Sequence, residues 1–197
     1  MPRLVDHAER RTAIIRVTWE LIAQKGIDAT SMRDIAHASG YANAGTLSHY
    51  FTGKSDLLQH AYEYVYEATN DRVAVACAGL EGLDAIRAMA REIAPLDPVT
   101  LHEASIAVSF WQRALHDHEL ANTSRSAISG WRDGIVELLG NGRRLQQIRS
   151  SAPDSVVADQ LLSMLFGMHI TGLLDHNVAT VERHSAAIDQ FLDALTD

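Results

Sequence analysis

A single cysteine, Cys77, rules out an internal disulfide and fits a reducing, cytoplasmic setting. Proline is also scarce, at four residues, and the twelve glycines are too few for a turn-rich all-β fold. Long uninterrupted helices are what such a composition favours. No apolar run looks able to span a bilayer: the longest, Leu161 to Leu174, is interrupted by Ser163, His169 and Thr171, so no membrane partner is expected. Nor does the stretch from Met1 to His7 show the apolar core and cleavage site of a secretion signal. G-x-S-x-G, P-loop and dinucleotide fingerprints are missing, and the adjacent Ser48 and His49 have no orienting carboxylate placed for a triad. Neither catalysis nor a cofactor is expected.

What is present is a globular balance of 47% hydrophobic and 21% charged residues, which excludes disorder. The net charge of -8 is unevenly spread. Residues 1–54 hold seven Lys/Arg against five Asp/Glu, whereas residues 55–197 hold ten against twenty. A slightly basic head on an acidic body orients toward a polyanion, because phosphate attraction is local and screened within about 10 Å.

The hydrophobic period is helical throughout, and the pattern predicts an all-α chain of about nine helices with no strand. The first helix is expected over Glu9 to Lys25, stopped by Gly26. Ser31-Met32-Arg33-Asp34 is a capping box that opens a short second helix, with Thr30 as a competing cap and Gly40 as its end. After the turn Tyr41 to Ala44, a third short helix is expected through Gly45 to Phe51. Ser55 is expected to cap a long fourth helix reaching Cys77. Further segments follow at Leu83 to Ala94, Val99 to Leu115, His118 to Leu139 (ended by Gly140-Asn141-Gly142), Asp154 to about Leu174, and one capped by Thr180.

Two short helices joined by a tight turn and docked on a preceding helix make a helix-turn-helix, whose second helix enters the major groove. Asn43, Thr46, Ser48, His49 and Tyr50 are small or planar hydrogen-bonding residues suited to base edges and phosphates. Leu47 and Phe51 give the same helix an inward face. Lys54, Thr30 and Ser31 stand at helix N-termini, where free N–H groups favour a phosphate.

The run Thr30-Ser31-Met32-Arg33-Asp34-Ile35-Ala36, then Gly40, then Gly45 to Phe51, then Lys54 and Leu57-Leu58 resembles the TetR family of bacterial regulators. Within it, Ser48-His49-Tyr50-Phe51 and the run from Leu83 through Phe110-Trp111 to Trp131 are similar to the choline-responsive BetI-type branch. One residue more than usual separates Gly40 from Phe51, so contacts carry over best by counting back from Phe51.

The resemblance implies a DNA-binding head over 1–54 and a ligand-binding and dimerisation body over 55–197. It further implies a homodimeric repressor on double-stranded palindromic operator DNA, with half-sites about 34–36 Å apart or a multiple of that. Implied DNA contacts are Thr30, Ser31, Arg33, Asn43, Ala44, Thr46, Ser48, His49, Tyr50 and Lys54. The last two helices would form the dimer interface through Leu161, Leu165, Met168, Leu173, Ile188 and Phe191. A small-molecule effector would sit in the body, with Met89, His102, Phe110, Trp111, Trp131 and His169 as candidate lining and Glu103 adding charge.

Ten histidines raise the question of a metal. His116 and His118, two residues apart, do not share a helical face and no third ligand is placed, so no metal site is expected.

Overall fold

A computed structural model describes residues 2–175, 177 and 179–196. Among the described residues there are eight α-helices and one 3-10 helix, and no strand. The helices are α1 (Pro2–Lys25), α2 (Met32–Ala38), the 3-10 segment Ala44–His49, α3 (Lys54–Ala76), α4 (Gly82–Ile93), α5 (Pro98–Ala114), α6 (His118–Arg144), α7 (Asp154–Leu174) and α8 (Val181–Asp193).

Most termini are written locally. α1 begins seven residues before the expected Glu9 and stops at Lys25, where Gly26 takes φ +81°, a left-handed conformation open to glycine. Ser31 caps α2 as a true box: its hydroxyl accepts from the Asp34 N–H, and its own N–H donates to the Asp34 carboxylate at 2.9 Å. α2 closes with a Schellman motif, Tyr41 N–H donating to the Ala36 carbonyl and Gly40 N–H to His37. The cap of α3 differs from expectation. Gly53, not Ser55, occupies it, and the Asp56 carboxylate reaches back to accept the Thr52 N–H at 2.8 Å.

α6 runs five residues past the expected stop at Leu139, straight through Gly140 and Gly142. These glycines do not end the helix; one of them allows contact. A Cβ on Gly142 would lie 2.9 Å from the Ile148 side chain, and one on Gly82 would lie 2.9 Å from the Gly142 backbone. α4 and α6 therefore cross at backbone distance. The following loop is held by Arg143, which donates to the Ser150 and Ala152 carbonyls and pairs with Asp154 at 2.7 Å.

Two cores result. Ile14, Ile15, Ile35, Leu47, Phe51 and Leu57 join α1, α2, the 3-10 segment and the start of α3. A larger core joins α4, α6, α7 and α8 through residues such as Ile86, Ile135, Leu161, Leu165 and Ile188. α7 is long and apolar enough by composition to cross a membrane, contrary to the reading from Leu161 onward. Its Val157, Ala158, Leu161, Leu162, Leu165 and Met168 are instead buried in this core.

The same packing sets the exposure of the residues expected at a dimer face. Leu161, Leu165, Met168 and Ile188 are buried within one chain, while Leu173 and Phe191 are half-buried. Exposed on α7 are Val156, Asp159, Gln160, Ser163, Gly167, Ile170, Thr171 and Leu174, and all of these but Asp159 and Thr171 are spaced alternately by four and three residues.

A candidate DNA-binding head and effector cavity

In the head, Ser31, Arg33, Asn43, Ser48 and His49 are exposed, and Ala44, Thr46 and Tyr50 half-buried. The third short helix, expected through Gly45 to Phe51, winds as a 3-10 helix over Ala44–His49. Gly45 is a poor helix former, and the Ser48 hydroxyl donates to the Gly45 carbonyl three residues back at 2.7 Å. Leu47 and Phe51 are buried as the pattern required, and Arg11 stands over the Phe51 ring at 5.1 Å. Tyr50 is stacked on His7 with ring centres 4.7 Å apart and flanked by Tyr41.

Two expected contacts are placed elsewhere. Thr30 is completely buried and its hydroxyl donates to the Gly26 carbonyl at 2.7 Å, closing the turn between α1 and α2. Lys54 turns inward, its ammonium donating to the Ile27 carbonyl at 2.8 Å. Burial, reinforced by the nearby Arg113 cation, lowers its pKa. Asp34 moves the other way: hydrogen bonds from Ser31, with Lys25 at 2.9 Å, hold its carboxyl well below the usual range.

α5 forms the seam between head and body. His102 lies tilted against Trp19 with ring centres 4.3 Å apart, and Ile106 packs with Ile22, Ile27 and Leu58. Arg113 reaches the Asp28 carboxylate at 3.5 Å. His116-Asp117-His118 follows directly. Asp117 is the α6 cap, accepting from the Glu119 and Leu120 N–H groups.

The opposite face of α5 lines a narrow cavity of about 20 Å³. Its walls include Tyr62, Tyr66 and Thr69 from α3, Glu103 and Trp111 from α5, Trp131 from α6 and His169 from α7. Trp111 stacks on His169 and meets Phe166 edge-on, and Tyr66 packs against Trp131. Glu103 is buried, held by a two-pronged Arg72 contact at 2.6 and 2.8 Å, and Arg72 also pairs with Glu92. Of the six expected lining residues, Trp111, Trp131 and His169 meet here. Met89 is in the large core, His102 faces α1, and Phe110 lies behind the wall, stacked on Tyr62 at 4.1 Å. Tyr62, Tyr66 and Thr69 escaped the sequence reading. Their spacing of four and three residues along one face of α3 was the available signal.

Two open grooves flank the cavity. One, about 350 Å³, runs between α5 and α6 past Trp111, Leu115 and Ile128; the other, about 410 Å³, passes Tyr62, Tyr66 and Asn122. The Trp111 indole N–H donates to the Tyr62 hydroxyl at 3.3 Å, so these two side chains stand between the cavity and both grooves.

Residues 14–61 match the family model for bacterial regulatory proteins of the tetR family, and residues 82–197 that for the BetI-type transcriptional repressor, C-terminal. The chain belongs to the TetR family and carries a BetI-type C-terminal region. It is a DNA-binding transcriptional regulator, not an enzyme. Over 196 residues it is 26% identical to the HTH-type transcriptional regulator PksA of Bacillus subtilis, covering 99% of this chain and 94% of PksA. It is 25% identical to BetI of Cronobacter sakazakii, covering 98% and 93%. A regulator from Saccharomonospora viridis solved in complex with choline shares the fold at TM-score 0.85 and 21% identity, covering 94% and 96% of the two chains. A transcriptional regulator from Rhodococcus sp. Rha1 does so at TM-score 0.84 and 20% identity, covering 94% and 95%.

Proposed function

We propose that the protein is a cytoplasmic homodimeric repressor that binds a palindromic operator and is released by a small organic cation in its body. The head comprises residues 1–54 and the body 55–197. Ser31, Arg33, Asn43, Ala44, Thr46, Ser48, His49 and Tyr50 remain the DNA-facing set, without Thr30 and Lys54. Dimerisation uses the exposed α7 face of Val156, Ser163, Gly167, Ile170 and Leu174, whose spacing is that of a helix–helix seam.

The observation that carries this reading is the cavity: aromatic faces of Tyr62, Tyr66, Trp111 and Trp131 around one space, with the Glu103 carboxylate in the wall. Aromatic faces attract a cation, above all a weakly hydrated quaternary ammonium, while the Glu103 charge is already offset by Arg72. The choline in complex with the Saccharomonospora viridis regulator is a molecule of that kind. The cavity must open to admit it, since about 20 Å³ is far below the roughly 300–1,000 Å³ of ligand pockets. Breaking the Trp111–Tyr62 contact merges it with the grooves. Because α5 carries both this wall and the head contacts, opening the cavity shifts the head. Only about 1–3 kcal/mol of coupling is needed.

Intrinsic fluorescence tests the reading. Trp111 and Trp131 line the cavity and Trp19 sits at the seam, so saturable choline binding changes the emission, and Trp111→Phe reduces the change. Emission that stays constant up to millimolar choline contradicts it.

A further inference from the structure

We infer that His169 sets effector specificity by accepting, at Nδ1, a hydrogen bond from an O–H or N–H donor on the effector. The inference rests on reading the cavity as the effector site, and it narrows the ligand class to small organic cations that carry a donor.

The His169 ring is 4% exposed, and its Nε2 lies 2.8 Å from the Ile93 carbonyl oxygen. A carbonyl only accepts, so Nε2 must carry the proton. A neutral imidazole has one N–H, which leaves Nδ1 as a bare acceptor. Burial, with His184 nearby, holds the ring below the ordinary histidine range and therefore neutral near pH 7. Nδ1 is buried and has no partner.

The other buried polar side-chain atoms of the wall are spoken for. The Thr69 hydroxyl lies 3.0 Å from the Val65 carbonyl and 3.1 Å from Glu103. Thr100 accepts from the Leu96 and Asp97 N–H groups, both at 3.0 Å. Both Glu103 oxygens take Arg72, and the Trp131 indole N–H donates to the Asn70 side-chain amide oxygen at 2.8 Å. Among the described residues of the wall, His169 Nδ1 is thus the one such atom still open to a ligand, beside a space large enough for a hydroxyl group.

A ligand that seats its cation against the aromatic faces but brings no donor leaves this acceptor buried and unsatisfied. The loss is on the order of 10- to 100-fold in affinity. A ligand that brings a carboxylate sets acceptor against acceptor and binds weaker still.

Isothermal titration of the full-length protein with choline, propyltrimethylammonium and glycine betaine tests the inference. Propyltrimethylammonium replaces the choline hydroxyl by a methyl group of similar size. Choline is expected to bind about 10- to 100-fold more tightly than propyltrimethylammonium, with glycine betaine weakest. In His169→Phe the gap between the first two closes; should that variant fail to fold, the wild-type series decides alone. Equal affinity for choline and propyltrimethylammonium overturns the inference and leaves the cation reading standing. Binding of none of the three overturns both. A proton found on Nδ1 by nitrogen NMR of the His169 ring also overturns the inference.

Discussion

Trp111 and Arg113 stand two residues apart on α5 and serve opposite sides of it: the Trp111 indole holds the Tyr62 hydroxyl at the cavity wall, and the Arg113 guanidinium reaches Asp28 in the head. Residues so spaced do not share a helical face. Any shift of α5 that makes room in the cavity must therefore be felt at the seam. His102 on Trp19, and Ile106 among Ile22, Ile27 and Leu58, give that seam its packing.

Arg113→Ala separates coupling from stability. The ion pair is exposed and worth at most about 1 kcal/mol, so the denaturation midpoint should barely move. The ratio of operator affinities without and with choline should fall toward one, measured by fluorescence anisotropy. An unchanged ratio removes Arg113 from the coupling route.

Lys54→Ala distinguishes a structural from a phosphate-binding role. The ammonium donates to a carbonyl between α1 and α2, so its loss should destabilise the head by about 1 kcal/mol in chemical denaturation. The slope of log affinity for DNA against log salt should stay constant. A slope lower by about one would show that Lys54 leaves Ile27 for a phosphate.

Leu165→Asp and Ile170→Asp should fail differently. Leu165 is fully buried, so a carboxylate there unfolds the chain. Ile170 is 46% exposed on α7, and Leu174 80%. Ile170→Asp should keep its helical circular dichroism while light scattering shows half the mass. A folded variant of unchanged mass would move the interface off this face.

Acid should weaken the fold before the carboxylates titrate. Burial pushes His169 and His184 below the ordinary histidine range. Below about pH 6.5 the unfolded chain binds protons that the folded chain refuses, so stability falls as pH falls. The slope is about 1.4 kcal/mol per pH unit for each histidine kept neutral, readable from urea unfolding between pH 7 and 5.5. Asp34 and Asp56, held low by hydrogen bonds, add loss only below about pH 4. A flat profile down to pH 5.5 would contradict the burial of these rings.

Much of the fold was legible because its stops and starts are local. Gly26, Ser31 with Asp34, Gly40, Asp154 and Thr180 act where the sequence put them. Gly140 and Gly142 misled because a glycine that lets two helices touch looks the same in sequence as one that ends a helix. The head was readable down to its buried Leu47 and Phe51, yet the inward turn of Lys54 depends on Ile27, a partner 27 residues away. In the cavity, the rare tryptophans attracted attention. Tyr62 and Tyr66 became wall residues only through the packing of α3 against α5 and α6. The apolar α7 concealed which face is core, since both faces carry aliphatic residues.

The most direct measurement is binding of the purified protein to the promoter DNA flanking its own gene, at two salt concentrations, with and without choline. The account predicts tight, salt-sensitive, sequence-selective binding at two chains per site, weakened about 5- to 150-fold by choline. Binding that ignores sequence, or selective binding that choline at saturating concentration leaves untouched, would contradict it.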